Sequence, residues 1–126
     1  MKKLLSFLVL SLLLSGNAYS TITNKDFLDY KNSASKSDEE KEMYKRVIYS
    51  YLLGAADSYL STNAVLQLNG KKKLFCQPGE LSLNVENFVI FAEEQIQIQK
   101  KKGSYLDSTP LSATLLLRLE KVFPCN

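Results

Sequence analysis

The strongest constraint on the fold is one pair of cysteines, Cys76 and Cys125, the second of which lies one residue from the end of the chain. Pro124, directly before it, cannot continue a helix. A terminus this short frays unless another group holds it. A bond between the two cysteines would close a loop of about 50 residues, for which a chain-entropy model gives roughly 4 kcal/mol of stabilisation. Whether the bond forms depends on the compartment in which the chain folds.

The first twenty residues, MKKLLSFLVLSLLLSGNAYS, have the pattern of a secretory signal peptide. Lys2 and Lys3 form a basic start, and residues 4–14 form a mostly apolar stretch that is shorter than the roughly 20 residues of a membrane span. Small residues at the third-last and last positions predict cleavage before Thr21. The alternative is an uncleaved membrane anchor.

Cleavage would leave a mature chain of residues 21–126, which is the length of one small domain. Loss of the two leader lysines lowers the basic residues from 16 to 14 against 13 acidic residues, so the net charge falls from +3 to +1. Export into an oxidising compartment makes a Cys76–Cys125 disulfide the expected state, with two buried free thiols as the alternative.

Hydrophobic periodicity predicts an all-α domain, a small bundle of about four helices with one disulfide. The longest helix follows Ser37 as its N-cap and begins with acidic residues, which suit the positive end of the helix dipole. Gly54 inside it costs about 1 kcal/mol relative to alanine, so we expect a close helix crossing or a bend there. The predicted core face of this helix comprises Tyr44, Val47, Ile48, Tyr51, Leu52, Ala55 and Tyr59.

Three further helices are predicted around it. A short one covers residues 25–30, with Thr23 or Asn24 as its cap, and a second follows Ser82 as its cap and stops at Gly103. The core face of this second helix comprises Val85, Phe88, Val89, Ala92 and Ile96, and Lys100, Lys101 and Lys102 form its last turn.

The last helix is predicted to have Thr109 as its cap and Pro110 at its first helical position, where the missing N–H costs nothing. Its predicted core face comprises Ala113, Leu116, Leu117 and either Val122 or Phe123.

Residue types limit the chemistry. The chain has no histidine, and a disulfide would occupy both cysteines, which removes most routes to nucleophilic catalysis and zinc binding. The carboxylate pairs at positions 39–40 and 93–94 are sequence neighbours, so on a helix they diverge by about 100° and form solvated faces. We therefore expect no enzyme activity, no catalytic residue, no metal site and no cofactor.

Two lysine triplets are candidates for charge recognition. A net charge near +1 and export argue against nucleic acid, and Lys100–Lys102 suit a helix C-terminus. The other triplet lies in a predicted loop, residues 67–75, and we expect a neighbouring loop around residues 103–108 to join it in binding a protein partner. Tyr49 is a further candidate for an exposed interface anchor, since tyrosine is enriched there. The predicted contact residues are Lys71, Lys72, Lys73 and Tyr105.

Three segments carry a resemblance to a known family. They are Tyr-x-x-Gly at residues 51–54, Cys-x-Pro-Gly at residues 76–79 and Phe-Pro-Cys at residues 123–125. In this order and behind a leader, they resemble the Rap/Tai family of type VI secretion immunity proteins. The resemblance implies a periplasmic protein that binds a cognate cell-wall amidase effector, blocks its active site and tends to homodimerise. It implies no nucleic-acid partner, and no membrane association after the leader is removed.

One departure from the family pattern concerns the first helix. Family members often carry a second cysteine pair that joins this helix to the long one, and the matching region here holds Tyr30 and Ile48. We therefore expect the first helix to be held by packing alone. The competing hypothesis is a periplasmic helical chaperone or stress protein of the HdeA type, which shares the small size, the helices and the disulfide. An adjacent amidase gene would favour the immunity protein.

Overall fold

The computed structural model describes residues 21–126, so the predicted leader lies outside the described residues. This part of the chain contains no strand, and a single isolated bridge pairs Thr23 with Pro110. None of its helices is long and apolar enough to cross a membrane. The all-α prediction is confirmed for these residues, with helices α1 Asn24–Lys31, α2 Asp38–Leu68, α3 Val85–Lys102 and α4 Leu111–Val122.

The disulfide between Cys76 and Cys125 is formed, with the two Cα atoms 4.9 Å apart. Beside it, the backbone N–H of Cys76 donates to the carbonyl of Phe123 at 2.8 Å. The predicted pairing is therefore confirmed, and it fixes the end of α4 to the loop that follows α2.

Local side-chain chemistry sets where the first three helices begin. Thr23 caps α1 and Ser37 caps α2, each as one half of a capping box. The expected cap Ser82 is wrong, because α3 begins after Asn84, whose side chain accepts from the N–H of Asn87 at 3.1 Å while Asn87 bonds back at 2.9 Å. Gly103 ends α3 in the left-handed conformation, with φ 69°, as predicted.

The start of α4 differs from the prediction by one residue. Pro110 occupies the N-cap position, and neither it nor Thr109 caps the helix with a side chain. Instead, the N–H of Leu111 donates to the carbonyl of Ile22 at 2.8 Å, and the carbonyl of Thr109 accepts from the N–H of Asn24 at 2.9 Å. The partner of the first turn therefore comes from the other end of the domain, which local sequence does not reveal.

The core face of α4 also differs from the prediction. Leu116 and Phe123 are half-buried and pack against the core, whereas Leu117 is exposed, so the expected core face was correct only in part. Residues 115–117 are all leucine, so apolar periodicity alone does not fix which side of the helix faces inward. The face that is buried comprises Leu111, Thr114, Leu115 and Leu119.

On α2 the prediction holds only for the middle of the helix. Ile48 and Leu52 are buried, whereas Tyr44 and Val47 are exposed, and Tyr44 instead has Lys36 Nζ over its ring at 3.6 Å from the centroid. Further along, Ser112 of α4 accepts two hydrogen bonds. The hydroxyl of Tyr51 donates to its Oγ at 3.1 Å, and the hydroxyl of Tyr59 donates to its carbonyl oxygen at 2.6 Å. The remaining core residues are Phe27, Ala56, Phe75, Phe88, Ala92 and Ile96.

Helices α3 and α4 form an antiparallel pair. The guanidinium of Arg118 donates to Glu94 at 2.6 Å, and the rings of Phe91 and Phe123 pack edge to face with centroids 6.2 Å apart. Because the second contact lies earlier on α3 and later on α4, the two helices run in opposite directions. The end of α4 is therefore placed close to the start of α3 and the disulfide.

The attachment of α1 is polar as well as apolar. Asn24 is fully buried, its Nδ2 donates to the carbonyl of Leu106 at 3.3 Å, and its Oδ1 accepts from the hydroxyl of Thr114 at 2.8 Å. Phe27 packs beside it in the core. The expectation that packing alone holds α1 is therefore wrong, because a buried hydrogen-bond network ties it to α4 and to the loop before α4.

We predict that Asn24→Ala lowers the free energy of unfolding by about 1–3 kcal/mol, because it leaves buried donors and acceptors without partners. Chemical denaturation measures the change. Asn32→Ala, at the exposed end of the same helix, is the control and should change stability by less than about 0.5 kcal/mol. Equal effects of the two substitutions would contradict a structural role for the buried network.

The expected close crossing at Gly54 is wrong. A Cβ built at this position meets no other atom within 4 Å, so no neighbouring helix approaches it within the described residues. The glycine lies on an exposed part of α2.

We therefore predict that Gly54→Ala raises the free energy of unfolding by up to about 1 kcal/mol, through helix propensity. Gly103→Ala is the matched control, because its open surroundings are the same but its φ of 69° strains any side chain. Urea unfolding should show opposite signs for the two variants. If Gly54→Ala lowers the free energy of unfolding, another helix must lie close to this position, and the conclusion that the site is open would be wrong.

Candidate protein-binding surfaces

The loop that carries Lys71, Lys72 and Lys73 begins two residues after α2 ends. The N–H of Lys71 donates to the carbonyl of Leu66 at 2.8 Å, which folds the chain back on the helix. Lys71 and Lys72 are exposed and Lys73 is half-buried. Within residues 21–126 none of the three forms a salt bridge. The loop therefore presents positive charge to the solvent.

Tyr105 lies in the loop between α3 and α4 and is half-buried against the core, not fully exposed as an anchor would be. Its hydroxyl donates to Asp107 Oδ1 at 2.8 Å, and Lys100 Nζ lies 4.9 Å from its ring centroid. Burial, together with the hydrogen bond to the Asp107 carboxylate, raises the pKa of Tyr105 to about 12. The phenol is therefore a neutral hydrogen-bond donor at physiological pH.

The four predicted contact residues lie on two loops at opposite ends of α4. The lysine loop lies near the end of α4, through the bond between Cys76 and Phe123, whereas Tyr105 precedes the start of α4. Twelve residues of helix separate these ends by roughly 18 Å. A partner would have to span α4 to touch both, so the structure separates the two loops that the sequence suggested as neighbours.

Tyr49 is also half-buried against the core, with Lys45 Nζ 5.4 Å from its ring centroid. The Tyr49 side chain therefore contributes to the packing of α2 against the hydrophobic core. The expectation of a freely exposed anchor at Tyr49 is wrong, because α2 turns this side chain toward the core.

The carboxylates that are neighbours in sequence have separate partners. Glu93 lies 3.0 Å from Lys31 Nζ, and Glu94 bonds Arg118. Glu40 belongs to the capping box of α2, and the bonds that it accepts from Ser37 lower its pKa. No group of three or more histidine, cysteine, aspartate or glutamate residues within 21–126 is placed to hold a metal ion.

A second surface was missed by sequence reasoning. Five exposed residues of α2 recur at helical spacing on one side, and we refer to them as the α2 stripe. Leu53 is 48% exposed, Leu60 49% and Leu68 87%, which is unusual for such large apolar side chains when they share one face. The stripe comprises Leu53, Asp57, Leu60, Ala64 and Leu68.

The α2 stripe is nearly free of charge. Asp57 is the one charged residue between positions 47 and 68, whereas the preceding turns of α2 carry charge at most positions. Beside the stripe, Leu83 and Phe88 complete an open groove of about 460 Å³. Depletion of charge on an exposed apolar face is typical of the centre of a protein interface. This loss of charge along one helix was the sequence signal that could have revealed the surface.

The chain matches no family model, no curated protein and no solved structure.

Proposed function

We propose that this protein is a periplasmic immunity protein that binds a type VI secretion cell-wall amidase effector and inhibits it without catalysis of its own. The observation that carries the proposal is the bond between Cys76 and Cys125, because it joins the two most distinctive motifs of the resemblance, Cys-x-Pro-Gly and Phe-Pro-Cys. The bond also suits an oxidising compartment such as the periplasm.

The geometry of the protein also favours a binding role, independently of the family resemblance. Its exposed features are a basic loop and an apolar helix stripe, and both are surfaces that proteins use to contact other proteins. In this proposal Lys71, Lys72 and Lys73 approach an acidic rim around the effector's active site. Rim charges of this kind mainly speed association, and their effect weakens as salt is added.

We predict that changing Lys71, Lys72 and Lys73 together to glutamate weakens inhibition of the cognate amidase at least about tenfold at low salt, since charge reversal turns steering into repulsion. The measurement is peptidoglycan hydrolysis by the cognate amidase, which is to be sought among the neighbouring genes, titrated with the mature chain at several salt concentrations. Helical circular dichroism and melting should stay unchanged.

The matched control is the same triple change at Lys100, Lys101 and Lys102, which alters net charge equally but lies at the end of α3. It should inhibit like the wild type. Equal loss in both variants would indicate a nonspecific charge effect, and no loss in the first would remove the lysine loop from the interface. Failure of the wild type to inhibit any neighbouring amidase would overturn the proposed function itself.

We also propose that the α2 stripe is the contact between two copies of the chain. A nearly uncharged face suits a twofold contact, because each copy presents the same surface to the other and like charges there would repel. Apolar burial of Leu53, Leu60 and Leu68 would supply the driving force.

We predict that Leu60→Glu converts a dimer to a monomer in light scattering coupled to size-exclusion chromatography, because it places a second negative charge next to Asp57 in the contact surface of each copy. Leu117→Glu, at an exposed leucine of α4, is the control and should leave the dimer intact. A monomeric wild type at tens of micromolar would refute the dimer without affecting inhibition by the monomer.

The chaperone alternative needs groups that titrate on acidification, which in a chain without histidine are the carboxylates, and two of them belong to helix caps. Hydrogen bonds from Thr23 lower the pKa of Asp26, and bonds from Ser37 lower the pKa of Glu40. A lowered folded-state pKa adds stability that is present above the ordinary values of 3.8 and 4.5 and is lost as the pH falls through the folded values. Above their ordinary pKa values these two caps therefore contribute no acid-induced loss of stability.

A further inference from the structure

Asn63 is a buried polar residue inside α2, 7% exposed, whose side chain is used entirely by the lysine loop. Its Oδ1 accepts from the N–H of Leu74 at 2.7 Å, and its Nδ2 donates to the carbonyl of Phe75 at 2.9 Å. The amide group thus pairs with the loop backbone as a neighbouring peptide unit would. Asparagine is a poor helix former, so its place in the helix is explained by these two bonds.

The lysine triplet lies between fixed points of the backbone. On one side, the N–H of Lys71 is bonded to the carbonyl of Leu66 of α2. On the other, Asn63 holds Leu74 and Phe75, and the Phe75 ring is buried in the core. The loop has no regular secondary structure, so these tertiary contacts determine its course.

The disulfide adds a further fixed point one residue beyond Phe75. Cys125 Sγ lies 3.9 Å from the carbonyl oxygen of Lys73, and the N–H of Cys76 bonds Phe123. The backbone from residue 71 to residue 76 is therefore held at both ends and next to its middle, while the side chains of Lys71 and Lys72 remain in solvent.

We propose that Asn63 is a positioning residue that holds Lys71, Lys72 and Lys73 in one preformed arrangement for recognition of an acidic protein surface. The recognition part rests on the proposed function. A loop that is ordered before binding loses less conformational freedom in the complex, so its charges contribute more to affinity. Without the side-chain amide, Leu74 would lose its backbone hydrogen bond to α2, and the segment would be held only by its two ends, the buried Phe75 ring and the contact of Cys125 with Lys73.

Limited digestion of the folded, oxidised protein with trypsin tests the positioning directly, because trypsin cuts after lysine only where the backbone opens. The chain supplies an internal reference in its second lysine triplet at the end of α3. We expect Asn63→Ala to speed cleavage after residues 71–73 at least tenfold and to change cleavage after residues 100–102 less than twofold. Mass spectrometry of the fragments measures both rates in one sample.

Asn69→Ala is the matched variant, because Asn69 lies at the end of the same helix and its side chain bonds only the carbonyl of Val65 within that helix. Trypsin should cleave this variant at the wild-type rate at both lysine triplets. An equal rise at both triplets in Asn63→Ala would mean general destabilisation and would overturn the proposal, as would no rise at residues 71–73.

If Asn63→Ala does not fold, Asn63→Asp provides the test. Aspartate keeps the acceptor for Leu74 but loses the donor to Phe75, so cleavage at residues 71–73 should still rise at least threefold while the reference triplet stays constant. Hydrogen exchange at the Leu74 amide should remain slower in this variant than in a disulfide-reduced sample. Wild-type cleavage rates in Asn63→Asp would overturn the proposal.

The amidase assay separates positioning from function. Asn63→Ala should weaken inhibition at least threefold, and Asn69→Ala should not. If trypsin shows the loop released but inhibition is unchanged in Asn63→Ala and in the triple glutamate variant, the loop is positioned by Asn63 but does not bind, and its recognition role is overturned. If the wild type still inhibits the amidase in that case, the proposed function is retained and the inhibitory contact lies on another surface of the protein.

Discussion

The covalent bond between Cys76 and Cys125 is the constraint on which the arrangement of the other elements depends. It spans 49 positions of sequence and encloses α3 and α4, so the antiparallel pair is closed on itself and fixed to the end of α2. In the chain-entropy model a bond of this span stabilises the fold by roughly 4 kcal/mol, a large share of the margin of a small domain. The bond thereby fixes the segment that follows α4 to the loop before α3.

Two buried asparagines add further links between the helices and loops of the domain. Asn63 ties the loop before Cys76 to α2, and Asn24 ties the start of α1 to α4. A buried amide costs free energy unless its donor and acceptor groups are hydrogen-bonded. In both asparagines the side-chain Nδ2 donates a hydrogen bond and the side-chain Oδ1 accepts one. Asn24 joins residues 82 and 90 positions apart in the sequence, whereas Asn63 bonds residues 11 and 12 positions away, and neither contact depends on helix propensity.

Local chemistry and long-range contacts differ in how well the sequence predicts them. Ser37 and Gly103 were predictable, because a cap and a left-handed glycine depend on a few adjacent residues. The start of α4 was not, because its partner is Ile22. The lysine triplet was correctly placed in a loop, but its distance from Tyr105 depends on the direction of α4, and the α2 stripe appears only when the buried side of α2 is known.

The orientation of α4 shows how one polar pair can decide between alternatives that apolar residues leave open. Three consecutive leucines let this helix bury more than one face, and the expected face around Leu116 and Leu117 was as apolar as the one around Leu115. Thr114 lies on the buried face and bonds Asn24, which is itself fully enclosed. Rotating α4 to the other face would separate this pair and leave Asn24 Oδ1 buried without its partner, at a cost of about 1–3 kcal/mol. The polar pair therefore favours the observed rotation of α4, as do the bonds from Tyr51 and Tyr59 to Ser112, and the apolar residues supply most of the stability.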